Sequence, residues 1–81
     1  MVTLGDIIRA QHSLKGLLDY TPLEAAPDLG ENIYLKLENA NKTHSFKIRG
    51  ALNAVLSLDD NAREKGIVAA SSGNHAQAVA Y

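Results

Sequence analysis

Two stretches of this chain obey different periods, and the switch between them most limits the folds open to it. In Asn32–Glu38, Ile33, Leu35 and Leu37 alternate with Tyr34, Lys36 and Glu38, the period-two pattern of a strand with one buried face. From Ser45, a residue suited to cap a helix, Ile48, Ala51, Leu52, Val55 and Leu56 recur at three- and four-residue spacing. A strand running through a short polar connection, Asn39 to His44, into a helix is a unit of α/β architecture. Lys47 falls in the first turn of that predicted helix.

The flanking sequence extends the same plan. Thr3-Leu4-Gly5-Asp6 resembles a capping box with Asp in the place of Glu, and Ile7, Ala10, Leu14 and Leu18 follow at helical spacing. Tyr20-Thr21-Pro22-Leu23 breaks this first helix, and a loop with Pro27 and Gly30 is expected after it. The second helix is expected to end in the polar run Asp59-Asp60-Asn61 or somewhat after it. Gly66-Ile67-Val68-Ala69-Ala70 is a short continuous apolar run, as expected for a strand covered on both faces in a parallel sheet. Ser71 to Asn74 then turns the chain into a third helix, Asn74 to Tyr81. Helix, strand, helix, strand, helix predicts an α/β fold with a parallel sheet and flanking helices.

Composition removes several function classes. A net charge of −1 with charges well mixed offers no field to gather nucleic acid or an anionic membrane. The absence of cysteine excludes disulfides, thiolate catalysis and cysteine-ligated zinc within these residues. Asp6 and Arg9 interrupt the first apolar pattern, so it reads as neither a secretory signal nor a membrane span, and a cytoplasmic location is the expectation. At 81 residues the chain is shorter than most enzyme domains and stops inside a predicted helix, which points to the N-terminal portion of something larger.

Two segments carry chemistry. Lys47 follows Phe46 directly, so an amine that can condense with an aldehyde sits beside an aromatic ring that can pack on a flat cofactor. The bland alternative is a solvated lysine at a helix start, the reading given to Lys36 and Lys42. Ser71-Ser72-Gly73-Asn74-His75 is a donor-rich strand-to-helix turn that can hold a carboxylate or phosphate, or in which Ser72 simply caps a helix. Other chemistries lack their residues. Gly73 is followed by Asn74-His75 and not by Lys-Ser or Lys-Thr, and Ser71 has Ala69 where a hydrolase elbow needs glycine. His12, His44 and His75 have no regular metal spacing.

Thr21-Pro22-Leu23, Lys36-Leu37-Glu38-Asn39, Thr43-His44-Ser45-Phe46-Lys47-Ile48-Arg49-Gly50-Ala51 and Ser71-Ser72-Gly73-Asn74-His75-Ala76-Gln77, in this order, resemble the pyridoxal-phosphate enzymes of the threonine dehydratase and serine racemase family, fold type II. The resemblance implies pyridoxal 5'-phosphate as cofactor, with Lys47 forming the imine to its aldehyde, Phe46 near the pyridine ring and Asn74 bonded to the ring's phenolic oxygen. It implies that Ser71, Ser72, Gly73, Asn74 and His75 receive the carboxylate of L-threonine or L-serine, and that the products are a 2-oxo acid and ammonia. Ser72 is catalytic in the racemase branch, as the acid or base on the opposite face, whereas many dehydratases have alanine there. His44 stands where the family commonly has glycine. The family's layout further implies that residues 1–66 start a larger cofactor domain and 67–81 a smaller one, with the glycine-rich phosphate loop beyond Tyr81 and a homo-oligomer as the assembly. On that layout the 81 residues alone are expected to be inactive. Serine racemase, and an inactive truncated or interaction piece, are the alternatives to a dehydratase.

Overall fold

A computed structural model describes residues 1–81 of the chain. Helix α1 (Leu4–Leu14) opens on the expected box: Thr3 Oγ1 accepts the Asp6 N–H at 3.2 Å, and Asp6 Oδ2 accepts the Thr3 N–H at 2.8 Å. That backbone N–H first, then the Thr3 hydroxyl and the Arg9 guanidinium, hold the Asp6 carboxyl below the usual carboxylate range. α1 ends at Leu14 and does not reach Leu18. The chain leaves the helix at Lys15, at φ −59° and ψ 127°, and Gly16 at φ 82° completes the turn in a conformation that glycine adopts without a steric penalty. Leu18 still packs against the core, so its spacing reported burial and not helix.

The segment expected to be a loop after Pro22 contains a strand. β1 (Leu23–Ala25) pairs antiparallel with β2 (Tyr34–Lys36), Leu23 opposite Lys36 and Ala25 opposite Tyr34. This two-stranded hairpin is the sheet of the chain, and the parallel sheet predicted from the sequence does not form within it. β2 lies inside the predicted 32–38 strand, but both of its faces are exposed. Gly66–Ala70 corrects a second expectation. It makes no backbone hydrogen bond through residues 67–70, and Val68 is 98% exposed. An apolar run becomes a strand only when a neighbour supplies ladder hydrogen bonds, and no stretch of these 81 residues does so.

The predicted second helix is divided. α2 (Lys47–Leu56) stops before the polar run, and Asp59 starts α3 (Asp60–Glu64) by accepting the Ala62 N–H at 2.7 Å. An aspartate offering a cap competes with helix continuation, which turns a terminal polar run into a second start. α4 (Asn74–Ala80) forms as predicted. α2 lies between α1 and α4, and the core is Ile48, Ala51 and Ala78 with Leu18 and Val79 against them. Seven of 81 residues are buried, and the radius of gyration is 15.3 Å. A compact domain of this length would have about 12 Å. The helices therefore form a spread layer with apolar faces open to solvent. No helix is long and apolar enough to cross a membrane.

Candidate active site

The connection from β2 to α2 alternates in burial. After a 3-10 turn at Glu38–Ala40, Asn41, Thr43 and Ser45 point inward while Lys42, His44 and Phe46 face out. Buried side chains on alternate residues pin a segment that has no ladder of its own. The Thr43 hydroxyl is buried without a hydrogen-bond partner. His44 completes the path at φ 63°, a left-handed conformation strained for a residue with a Cβ. His44→Gly is therefore expected to raise stability by about 0.5–1 kcal/mol, the relieved strain exceeding the extra unfolded-state entropy of glycine. A denaturant midpoint that falls instead would show that the imidazole contributes more than its backbone costs.

Helix α2 begins one residue later than the sequence suggested, with Phe46 in the capping position. Ser45 still serves the helix start, its hydroxyl accepting the Lys47 N–H at 3.4 Å. The Lys47 Nζ lies 5.1 Å from the centroid of the Phe46 ring, within cation–π range. Both side chains border a groove of about 520 Å³ between α2, α4 and the extended residues 67–69. Ala51, Val55, Val68 and Val79 are among the apolar groups on its wall, and Lys47 and His75 are its two ionisable side chains. Ser71, Ser72, Gly73 and Asn74 do not line it. Ser71, Ser72 and Gly73 sit exposed on the turn before α4, where Ser71 Oγ accepts the Gly73 N–H at 3.2 Å, and Asn74 is exposed at the first residue of α4.

A polar cluster lies against the same helix. Glu38 Oε2 accepts from Arg49 Nε at 2.7 Å and Asn41 Nδ2 at 2.7 Å, and its Oε1 from Thr21 Oγ1 at 2.8 Å and Arg49 Nη2 at 3.1 Å. The Arg49 fork lowers the Glu38 carboxyl from 4.5 to about 2, with Thr21 and Asn41 adding to it against a partial desolvation. A carboxyl depressed in the folded state stabilises above its unfolded value, and that contribution fades as pH falls toward the folded one. The chain should lose stability between about pH 4.5 and pH 2 for this reason. Glu38→Gln should flatten that part of a melting-temperature profile. An unchanged acid limb would place the sensitivity elsewhere.

The sequence alone points to no role for Glu38, Arg49, Thr21 or Asn41, although the first three stand in the quoted motifs. Lys36, expected to be solvated, instead donates from Nζ to the Thr21 carbonyl at 2.6 Å. A carboxylate, a guanidinium and a threonine lying far apart in sequence give no periodic signal that they meet.

The family model described as pyridoxal-phosphate dependent enzyme matches residues 14–81. The chain belongs to this family. It is 51% identical over 99% of its length to the L-threonine ammonia-lyase of Thermotoga maritima, covering 21% of that protein. It is 49% identical over 99% of its length to the catabolic L-threonine dehydratase TdcB of Staphylococcus aureus, covering 25% of it. The solved structure of maize serine racemase superposes with a TM-score of 0.88 at 38% identity, over 95% of this chain and 26% of that one. The shared architecture is thus a portion of the fold type II enzymes, with mixed helices and strands. The chain spans no more than about a quarter of the length of these relatives.

The residues present fit one end of the family's cofactor. A flat heteroaromatic aldehyde needs an apolar slot, a ring to pack near and one primary amine, and the groove offers Val55, Val68, Phe46 and Lys47 in those capacities.

Proposed function

We propose that this chain is the N-terminal part of a pyridoxal-phosphate-dependent L-threonine or L-serine dehydratase, a lyase that yields a 2-oxo acid and ammonia. The observation that carries the reading is Lys47 in the first turn of α2, its amine over Phe46 at the wall of an apolar groove. The catabolic and ammonia-lyase relatives support the reaction class.

The cofactor, when bound, supplies an aldehyde and an electron sink. Lys47 is the amine that would hold it and, once free, the base that takes the proton from the substrate's alpha carbon. Phe46 and the apolar wall flank that amine on the groove side. His75, on the same wall, Asn74, at the first residue of α4, and Ser71, Ser72 and Gly73, on the turn before it, are the groups proposed to orient the substrate carboxylate, and Asn74 would also bond the ring oxygen of the cofactor. Residues 1–66 would start the larger domain and 67–81 the smaller one. Gly66 at φ 82° and the extended chain after α3 are consistent with a boundary there. In the longer protein the open run Gly66–Ala70 would gain the parallel neighbours it lacks here.

Borohydride reduction of the full chain with pyridoxal phosphate, followed by peptide mapping, tests the assignment. Label at Lys47 is expected, and label at another amine with Lys47 untouched would overturn it.

Ser72 favours a second reading. It is exposed on the turn just before α4, and a structural neighbour is a serine racemase. Chiral analysis of serine alongside 2-oxo acid formation separates the two. If Ser72→Ala abolishes racemisation and spares elimination, the chain does both.

A further inference from the structure

Three of the four motifs that mark the chain converge on the Glu38 carboxylate, and the imine chemistry uses none of the residues that meet there. We propose that Glu38 and Arg49, with Thr21 and Asn41, are positioning residues that fix the rotation of α2 and so aim Lys47 into the groove. The inference rests on the reading of Lys47 as the imine-forming amine.

The geometry carries it in two ways. Residues two apart on a helix point to different sides. Lys47 lines the groove facing α4, whereas Arg49 borders a separate hollow facing α1, with Ile7, Leu18 and Asn53. Arg49 grips Glu38 through both Nε and Nη2, at 2.7 and 3.1 Å, and a two-point hold resists rotation where a single contact would act as a pivot. The second path runs through the connection itself. Asn41 Nδ2, bonded to Glu38 Oε2, also donates to the Ser45 carbonyl at 3.1 Å, and Ser45 Oγ accepts the Lys47 N–H. The carboxylate is thus linked to the Lys47 backbone from before it and to the helix from behind it.

All of the carboxylate's lone-pair directions are engaged, since four donors reach its two oxygens. Thr21 and Asn41 are buried, and Glu38 retains 22% of its side-chain exposure. The hub is anchored on the other side by the hairpin, because Thr21 precedes β1, its carbonyl takes the Lys36 ammonium, and Glu38 follows β2. The hairpin and the first turn of α2 are thus joined through one carboxylate, on the side of the helix away from the groove.

The test uses the full chain, with the extent of borohydride labelling at Lys47 measured against pyridoxal phosphate concentration. Glu38→Gln and Arg49→Lys are compared with Asp59→Ala, which removes the α3 cap, lowers stability and leaves the cluster intact. Half-labelling of Lys47 in Glu38→Gln is expected to need about tenfold more cofactor, by analogy with the loss from removing a supporting partner of a bound group. Arg49→Lys, which keeps the charge but not the fork, should show a smaller shift in the same direction and serves if Glu38→Gln does not fold. Amide exchange at residues 45–49 of the cofactor-free chain should quicken in both, with α1 unaffected, and Asp59→Ala should show neither effect. The inference is overturned if the cluster variants label Lys47 as the parent does, or if the labelling loss follows melting temperature in Asp59→Ala as well. A parent that carries no label at Lys47 defeats the functional reading itself, an outcome distinct from parent and variants labelling alike.

Discussion

Ile48→Ala is expected to destabilise the chain by about 3 kcal/mol, the middle of the range for emptying a well-packed aliphatic site. Ile48 is 1% exposed and the largest apolar side chain fully enclosed, with only Ala51 and Ala78 buried alongside it. Two alanines cannot move in to fill the space, because each is fixed in its own helix. The loss should appear as a fall in melting temperature of more than about 10 °C, given the usual slope for domains of this size. Ile48→Val, which removes one methylene, should cost only about 1 kcal/mol. If alanine and valine are tolerated alike, the junction of α2 and α4 is not where the stability of this chain resides.

The second large effect is on chemistry. On the proposed function, Lys47→Ala should lower the dehydratase activity of a longer protein containing these residues by at least about 10³-fold, the scale for removing a positioned acid–base group that also anchors a cofactor. Lys47→Arg should fare no better, since a guanidinium stays protonated and cannot act as the base. Neither change should move stability by more than about 0.5 kcal/mol, because the Lys47 side chain is exposed and meets no carboxylate. Retention of more than a tenth of the activity in Lys47→Arg would count against Lys47 as the proton acceptor.

The helices were legible where a local rule decides them. Thr3 and Asp6 form the capping box, and the 3.6 period located α2 and α4, because backbone capping and side-chain spacing act within a few residues. The strands were harder. β1 pairs Leu23-Glu24-Ala25 with a partner about ten residues on, and nothing in three residues after a proline announces that pairing. Gly66–Ala70 failed in the opposite sense: its apolar composition suits a covered strand, but no stretch of these 81 residues supplies the ladder that would make it one. Phe46 and Lys47 were brought to one groove as the motif suggested, with His75 the member of the second motif that joins them on its wall. The Glu38 cluster was hidden because its members come from three segments, and charge complementarity across 11 residues, as between Glu38 and Arg49, leaves no periodic trace.

The uncovered stretch Ile67-Val68-Ala69-Ala70 also governs how these residues behave in a tube. Extended backbone with no ladder partner and an almost wholly exposed valine is a template on which a second molecule can lay its own copy. Turbidity should therefore rise steeply with protein concentration, and Val68→Lys should suppress it without disturbing any helix.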